Sequence, residues 1–164
     1  MHNKNQIYPS IVSFREVLQS DLPILAQACA TEAMSSEFWI NLIQGYMNNE
    51  FNPHHALSKR VIFVAAHAGT PIGFIAGHLT SRSDYPGHIQ WISVARTFQR
   101  KGIGSELLWI LAAWFADQDI NRVRSDVSVE QIGTRSFYTH HKAELQNSHW
   151  LCWEDVRTIR LKES

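Results

Sequence analysis

The 164-residue sequence has no surplus charge of either sign: Lys plus Arg number 15 and Asp plus Glu number 15, beside nine histidines. A nucleic-acid binder usually carries a basic excess, so no nucleic-acid partner is expected. Only two cysteines occur, Cys29 and Cys152, both in apolar surroundings and without paired spacing. They read as small buried hydrophobes rather than a disulfide framework, which fits a reducing cytoplasm. Cys-x-x-Cys and His-Glu-x-x-His spacings are lacking, and the adjacent pairs His54-His55 and His140-His141 point their side chains in different directions, so no metal is expected. Long apolar runs are lacking too. The most apolar helical stretch, Leu107 to Ala116, is too short to span a bilayer, so no membrane partner is expected. The polar stretch Met1 to Tyr8 has no apolar segment of the kind a secretory signal needs. With no repeat, low-complexity tract or linker, residues 1–164 read as one domain, and a hydrophobic fraction of 45% is enough for a globular core.

Periodicity supplies the elements. A strand is expected over Ile11 to Arg15. A helix then starts near Asp21, a favourable N-cap, with Pro23 in its first turn and Leu22, Leu25, Ala26 and Cys29 on its buried face. A second helix is expected over Ser36 to Asn48. Val61 to His67 and Pro71 to Leu79 form a hairpin about Ala68-Gly69-Thr70, with Gly73 and Gly77 marking a bulge or a close backbone approach. His88 to Val94 is a further strand. A helix over about Gly104 to Gln118, a strand over Arg122 to Val129, a short helix over Thr134 to His141, and strands over Ala143 to Gln146 and His149 to about Val156 complete the chain. The order β-α-α-β-β-β-α-β-α-β-β predicts an α/β sandwich on a mixed sheet, neither doubly wound nor a bundle.

The stretch richest in chemistry runs from Val94 to Ser105. It follows a strand and opens a helix, where free N–H groups and the positive end of the helix dipole face outward. Glycines let an anion approach the backbone, and Arg100 and Lys101 add charge, which makes a pyrophosphate cradle. A Walker A loop needs Gly-Lys followed by Ser or Thr, whereas here Lys101 precedes Gly102. A dinucleotide fingerprint needs a third glycine where Leu107 stands. Both fail.

Gln99-Arg100-Lys101-Gly102-Ile103-Gly104, with the preceding strand ending in Val94 and a later Phe137-Tyr138 pair, resembles the acetyl-CoA motif of the GNAT superfamily of N-acetyltransferases. The likeness extends over roughly Ile11 to Val156. It implies an α/β (α+β) fold with a mixed, mostly antiparallel central sheet flanked by helices on both faces. It also implies an acetyl-CoA-dependent N-acetyltransferase in which a primary amine attacks the thioester directly in a ternary complex. The alternative is a non-catalytic acyl-CoA-binding module on the same fold. Acetyl-CoA is the cosubstrate, and a small-molecule or peptide amine is the acceptor. A homodimer is common among such proteins but is not fixed by this sequence.

By that resemblance Ile92, Ser93 and Val94 hold the pantetheine arm through main-chain groups. The amides of Gln99, Arg100, Lys101, Gly102, Ile103, Gly104 and Ser105 hold the pyrophosphate, and backbone N–H groups near Val94 face the developing oxyanion. Tyr138 is the expected acid beside the leaving sulfur. The base is open. Relatives often place a Glu on the fourth strand, where this chain has His88 and Gln90. His88 is chemically suited, and Glu130 and His78 are further candidates. Gln131 stands where an Asn is usual among the cofactor contacts, and Lys142-Ala143 where Gly-Phe is usual. Phe38, Trp39 and Tyr85 are candidate acceptor contacts, with Asp84 beside the last.

Overall fold

The computed structural model describes residues 11–81 and 83–160. The polar stretch Met1 to Tyr8 lies outside them. The elements are β1 (Val12–Glu16), α1 (Leu22–Cys29), α2 (Ser36–Met47), β2 (Ala56–His67), β3 (Thr70–Thr80), β4 (Gly87–Val94), α3 (Ile103–Ala116), β5 (Val123–Asp126), α4 (Ile132–His140), β6 (Glu144–Leu145) and β7 (Trp150–Trp153). The strands form one seven-stranded sheet in the order β1-β2-β3-β4-β5-β7-β6. Every neighbouring pair is antiparallel except β4 and β5, which run parallel.

Strand alternation sorts the side chains to two faces. Ile62, Val64, Phe74 and Ala76 pack with Leu22, Leu25, Ile43 and Tyr46 under α1 and α2. Val61, Ala65, Ile75 and Ile89 pack with Leu107, Leu108 and Leu111 of α3 and Tyr138 of α4. Each large side chain so buried stabilises the fold by roughly 1.5–3 kcal/mol before ordering costs. The helices thus cover both faces, as the resemblance implied.

The boundaries differ where burial does not report on pairing. β2 begins at Ala56, before the apolar run from Val61, because Ala56 lies opposite Thr80 and Arg60 opposite His78, with the exposed residues Leu57 to Lys59 forming an irregularity between these two rungs. The Arg60 guanidinium secures it, donating to the carbonyls of Tyr46 (3.0 Å), Phe51 (2.8 Å) and Leu57 (2.8 Å). β5 is only four residues, not Arg122 to Val129, because it parts from β4 after two rungs. The chain turns after Trp153 into a 3-10 turn, Val156–Arg160, whose Ile159 carbonyl accepts from the Trp109 indole (3.1 Å), so the last strand stops short of Val156. Asp21 sits at the start of α1, but its carboxylate does not cap that helix. It accepts from Arg15 (2.7 and 2.9 Å) and from the Leu18 amide (2.7 Å), tying β1 to the chain before α1. Cys152 is buried as expected, whereas Cys29 is half-buried.

Gly73 and Gly77 mark close approaches. A Cβ on Gly73 would lie 2.9 Å from the Ser93 carbonyl oxygen, and one on Gly77 3.0 Å from a Leu111 methyl. The β3–β4 register shifts between Ala76 and Gly77, so that Ala76 pairs with Trp91 but Gly77 with Ile89. Gln90 is the extra residue of this bulge, and its buried side-chain oxygen has no partner among the described residues.

Candidate active site

The site grows from the way β4 and β5 part. They pair only at Gly87 with Val123 and at His88 with Arg124. Beyond that rung the edge of β4 from Gln90 to Val94 has no strand beside it, and Ser125 bridges the crotch by donating to the Ile89 carbonyl (2.9 Å). Ile92, Ser93 and Val94 therefore lie along an open strand edge, where the backbone groups that alternate away from β3 face the gap. An apolar cleft of about 250 Å3 lies at the far end, lined by Ile24, Leu25, Ala28, Gly73, Phe74 and Ser93.

At the end of β4 the chain makes a short turn, Arg96–Phe98, and enters α3. The turn uses Gln99 internally: its amide donates to Arg96 and its side-chain amide to the Val94 carbonyl (2.9 Å). Of the expected cradle residues, Gln99 thus shapes the loop and does not offer its own N–H. Arg100 and Gly102 hold left-handed backbone, φ 62° and 82°. That conformation costs a non-glycine residue about 1–2 kcal/mol and costs glycine little. Gly102 occupies the cap position of α3, and no side chain caps the helix. The N–H groups of Ile103, Gly104 and Ser105 have no acceptor within the helix, as the first turn of any helix dictates. Arg100 and Lys101 directly precede them in the chain, with no ion pair among the described residues and the Lys101 ammonium over the Phe98 ring at 5.4 Å. The arrangement fits a diphosphate. The Ser105 hydroxyl points inward and is hydrogen-bonded to His141 (2.9 Å), so its amide alone faces outward. A Cβ on Gly104 would touch the Phe137 ring at 3.5 Å and a Val94 methyl at 3.8 Å, so the residue packs closely without backbone strain.

Tyr138 and His88 flank the crotch from opposite faces. Tyr138 is 1% exposed, packed edge-on to Trp153. Burial raises its pKa, an effect the Ser125 hydroxyl partly offsets. The phenol therefore stays protonated, the form that donates. His88 is 2% exposed and lies on the α2 side, stacked on His78 (4.8 Å between rings) and under His54 (4.4 Å). Burial, then the nearby His78, His54 and Arg124, hold its pKa well below the usual imidazole value. Its neutral, proton-accepting form prevails at neutral pH. His78 is fully buried, bonded through Nδ1 to the Tyr46 hydroxyl (2.8 Å), and burial pushes its pKa down to about 3. Among the described residues its Nε2 has no partner.

The other expected residues fall further out. Glu130 is exposed in the loop after β5, with no hydrogen bond or ion pair to its carboxylate among the described residues. Gln131, also exposed, folds that loop by accepting from the Ser128 amide (3.1 Å). Lys142 takes left-handed backbone, φ 74°, which explains why glycine suits that position. Phe38 is exposed. Trp39 packs edge-on to Trp91 (5.9 Å between rings). Tyr85 is buried with other partners, its hydroxyl donating to Glu154 and its ring under the Arg122 guanidinium at 4.3 Å. The three candidate acceptor contacts thus do not share a pocket. Between them run Trp91, Tyr46, His78, His88, Trp150 and Arg124, each against the next. His54, Trp150, Ser125, Arg124 and Asp126 were not anticipated. Arg124 and Asp126 alternate along β5 with buried Val123 and Ser125, the one sequence cue that they face the other side of the sheet.

With this geometry in place, comparison with known proteins becomes specific. The acetyltransferase (GNAT) family model matches residues 25–142. The chain belongs to that family and is an acyltransferase. No curated protein matches the sequence. Among solved structures, a GNAT-family protein from Desulfovibrio desulfuricans superposes with a TM-score of 0.72 at 16% identity, over 89% of this chain and 99% of that one. PaiA N-acetyltransferase from Thermoplasma acidophilum, solved with coenzyme A, gives 0.66 at 17% identity, over 88% and 99%. Ard1 from Thermoplasma volcanium gives 0.63 at 22% identity, over 86% and 94%. At these identities the likeness is one of fold. Among the described residues no cluster of three or more potential metal ligands occurs, and no helix is long and apolar enough to cross a membrane.

Proposed function

We propose that the chain is an acetyl-CoA-dependent N-acetyltransferase in which a primary amine attacks the bound thioester directly. The observation that carries this reading is the open edge of β4 leading straight into the uncapped N-terminus of α3. A pantetheine arm pairs with Ile92 to Val94 along that edge. The amides of Ile103 to Ser105, with Arg100 and Lys101, take the diphosphate. His88, kept neutral by burial beside His78 and His54, accepts the proton of the attacking amine. Tyr138, kept protonated, donates to the departing thiolate as the carbon–sulfur bond breaks and the carbon–nitrogen bond forms. Glu130, exposed and away from this pair, has no part in the chemistry. The acceptor approaches from the α2 side, where Trp150 and His54 cover His88.

The test is release of free CoA thiol from acetyl-CoA with a panel of primary amines. Transfer requires both substrates together, and initial-rate lines at varied amine intersect. Parallel lines would mean an acetyl-enzyme intermediate and exclude direct attack.

A further inference from the structure

Arg124 is held in place but left without an anion. It stands beside His88 in the last β4–β5 rung. Its guanidinium lies over the Trp150 ring at 3.9 Å and over the Tyr85 ring at 5.6 Å. Stacked in this way it keeps a fixed plane with its donors at the rim. Among the described residues it makes no side-chain hydrogen bond and no ion pair, whereas its neighbour Arg122 is paired with Glu154 (2.8 Å). The nearest carboxylate along its own strand, Asp126, is engaged by His149 (2.8 Å) and lies 3.6 Å from His54. Arg124 also lines a polar cavity of about 510 Å3 with Asp84, Tyr85 and Gln146. A half-buried guanidinium, preset by two rings at the wall of a polar cavity, suits a planar carboxylate that takes two parallel N–H donors.

We infer that Arg124 binds a carboxylate of the acceptor, so that the substrate class is amines bearing a carboxylate close to the nitrogen, as amino acids do. This rests on the acetyl-transfer reading for the position of His88. Neighbouring strands lie about 4.8 Å apart. An acceptor whose carboxylate reaches Arg124 therefore presents a nearby amine toward His88, while Asp84 across the cavity favours the charged amine on entry. Trp150 touches both the guanidinium and the His88 ring and so lies against both groups.

Two measurements decide it. The first is independent of turnover: N-acetylglycine and N-acetylglycinamide, which differ only in the carboxylate, are titrated into the CoA-loaded protein while the Arg124 Nε–H and Trp150 indole N–H resonances are followed by NMR. The acid should shift both resonances and bind about 10- to 100-fold more tightly than the amide, the range of one charge-assisted hydrogen-bonded contact. Arg124→Gln should remove that difference and Arg124→Lys restore part of it. Equal shifts from both compounds, or none from either at millimolar concentration, overturn the inference. The second compares acetylation of a panel of L-amino acids with their amides. If the amides are acetylated as fast as the acids, the carboxylate site is wrong although acetyl transfer stands. If the acid binds through Arg124 but no amine is acetylated, the carboxylate site stands and the transfer reading fails.

Discussion

The buried histidine pair makes stability depend on acid in a way that can be worked out. A histidine in the unfolded chain titrates near 6.5, whereas His78 in the folded protein titrates at about 3 and His88 well below its usual value. Above about pH 6.5 both states are neutral and the groups cost nothing. Below it the unfolded chain takes up protons that the folded core refuses, so stability falls with falling pH, for His78 down to its folded value near 3. At about pH 5 His78 alone costs roughly 2 kcal/mol, against a total stability of about 5–15 kcal/mol, and His88 adds to the loss in the same direction. His78→Asn keeps a hydrogen-bonding group near Tyr46 and removes one titration. Urea unfolding at about pH 7 and about pH 5 reads the effect. The wild type should lose about 2 kcal/mol more than the variant on acidification, while the common background from the depressed Asp21 carboxyl cancels. An equal loss in both proteins would refute the claim that His78 is held neutral.

Other outcomes follow from the cradle and the crotch. Gly104→Val pushes a branched side chain toward Phe137 and Val94 at the first turn of α3, and acetyl-CoA affinity should fall at least tenfold with folding retained, as read by calorimetry and circular dichroism. Gly102→Ala meets no neighbour but must hold φ 82°, so it should destabilise the protein by about 1 kcal/mol in urea unfolding. Tyr138→Phe should lower turnover by at least tenfold while acetyl-CoA affinity changes less than threefold. A wild-type rate would leave Tyr138 a core residue only.

Much of the fold was legible because burial follows period. The α1–α2 and α3 helices and the β2–β3 hairpin show their apolar faces in the sequence, and the Gln99–Gly104 stretch announces a helix start that an anion can approach. What was not legible depends on contacts distant in sequence. β2 extends back to Ala56 through the Ala56 and Arg60 rungs and the Arg60 guanidinium, not through hydrophobicity. β5 is short because β4 leaves it, which no local pattern records. Gln99 looked like a cradle donor by motif, yet its amide closes the Arg96 turn. Arg124 drew no notice in the sequence because only the β4–β5 rung and the stacking on Trp150 bring it beside His88.

The most direct test of the central claim is a calorimetric titration of the purified chain with acetyl-CoA, with ATP and NAD as controls. The geometry at the β4 edge and the α3 N-terminus predicts saturable binding of acetyl-CoA near one per chain, lost in Gly104→Val, with neither control binding comparably. Failure of the folded protein to bind acetyl-CoA, or binding that Gly104→Val leaves unchanged, would contradict the account.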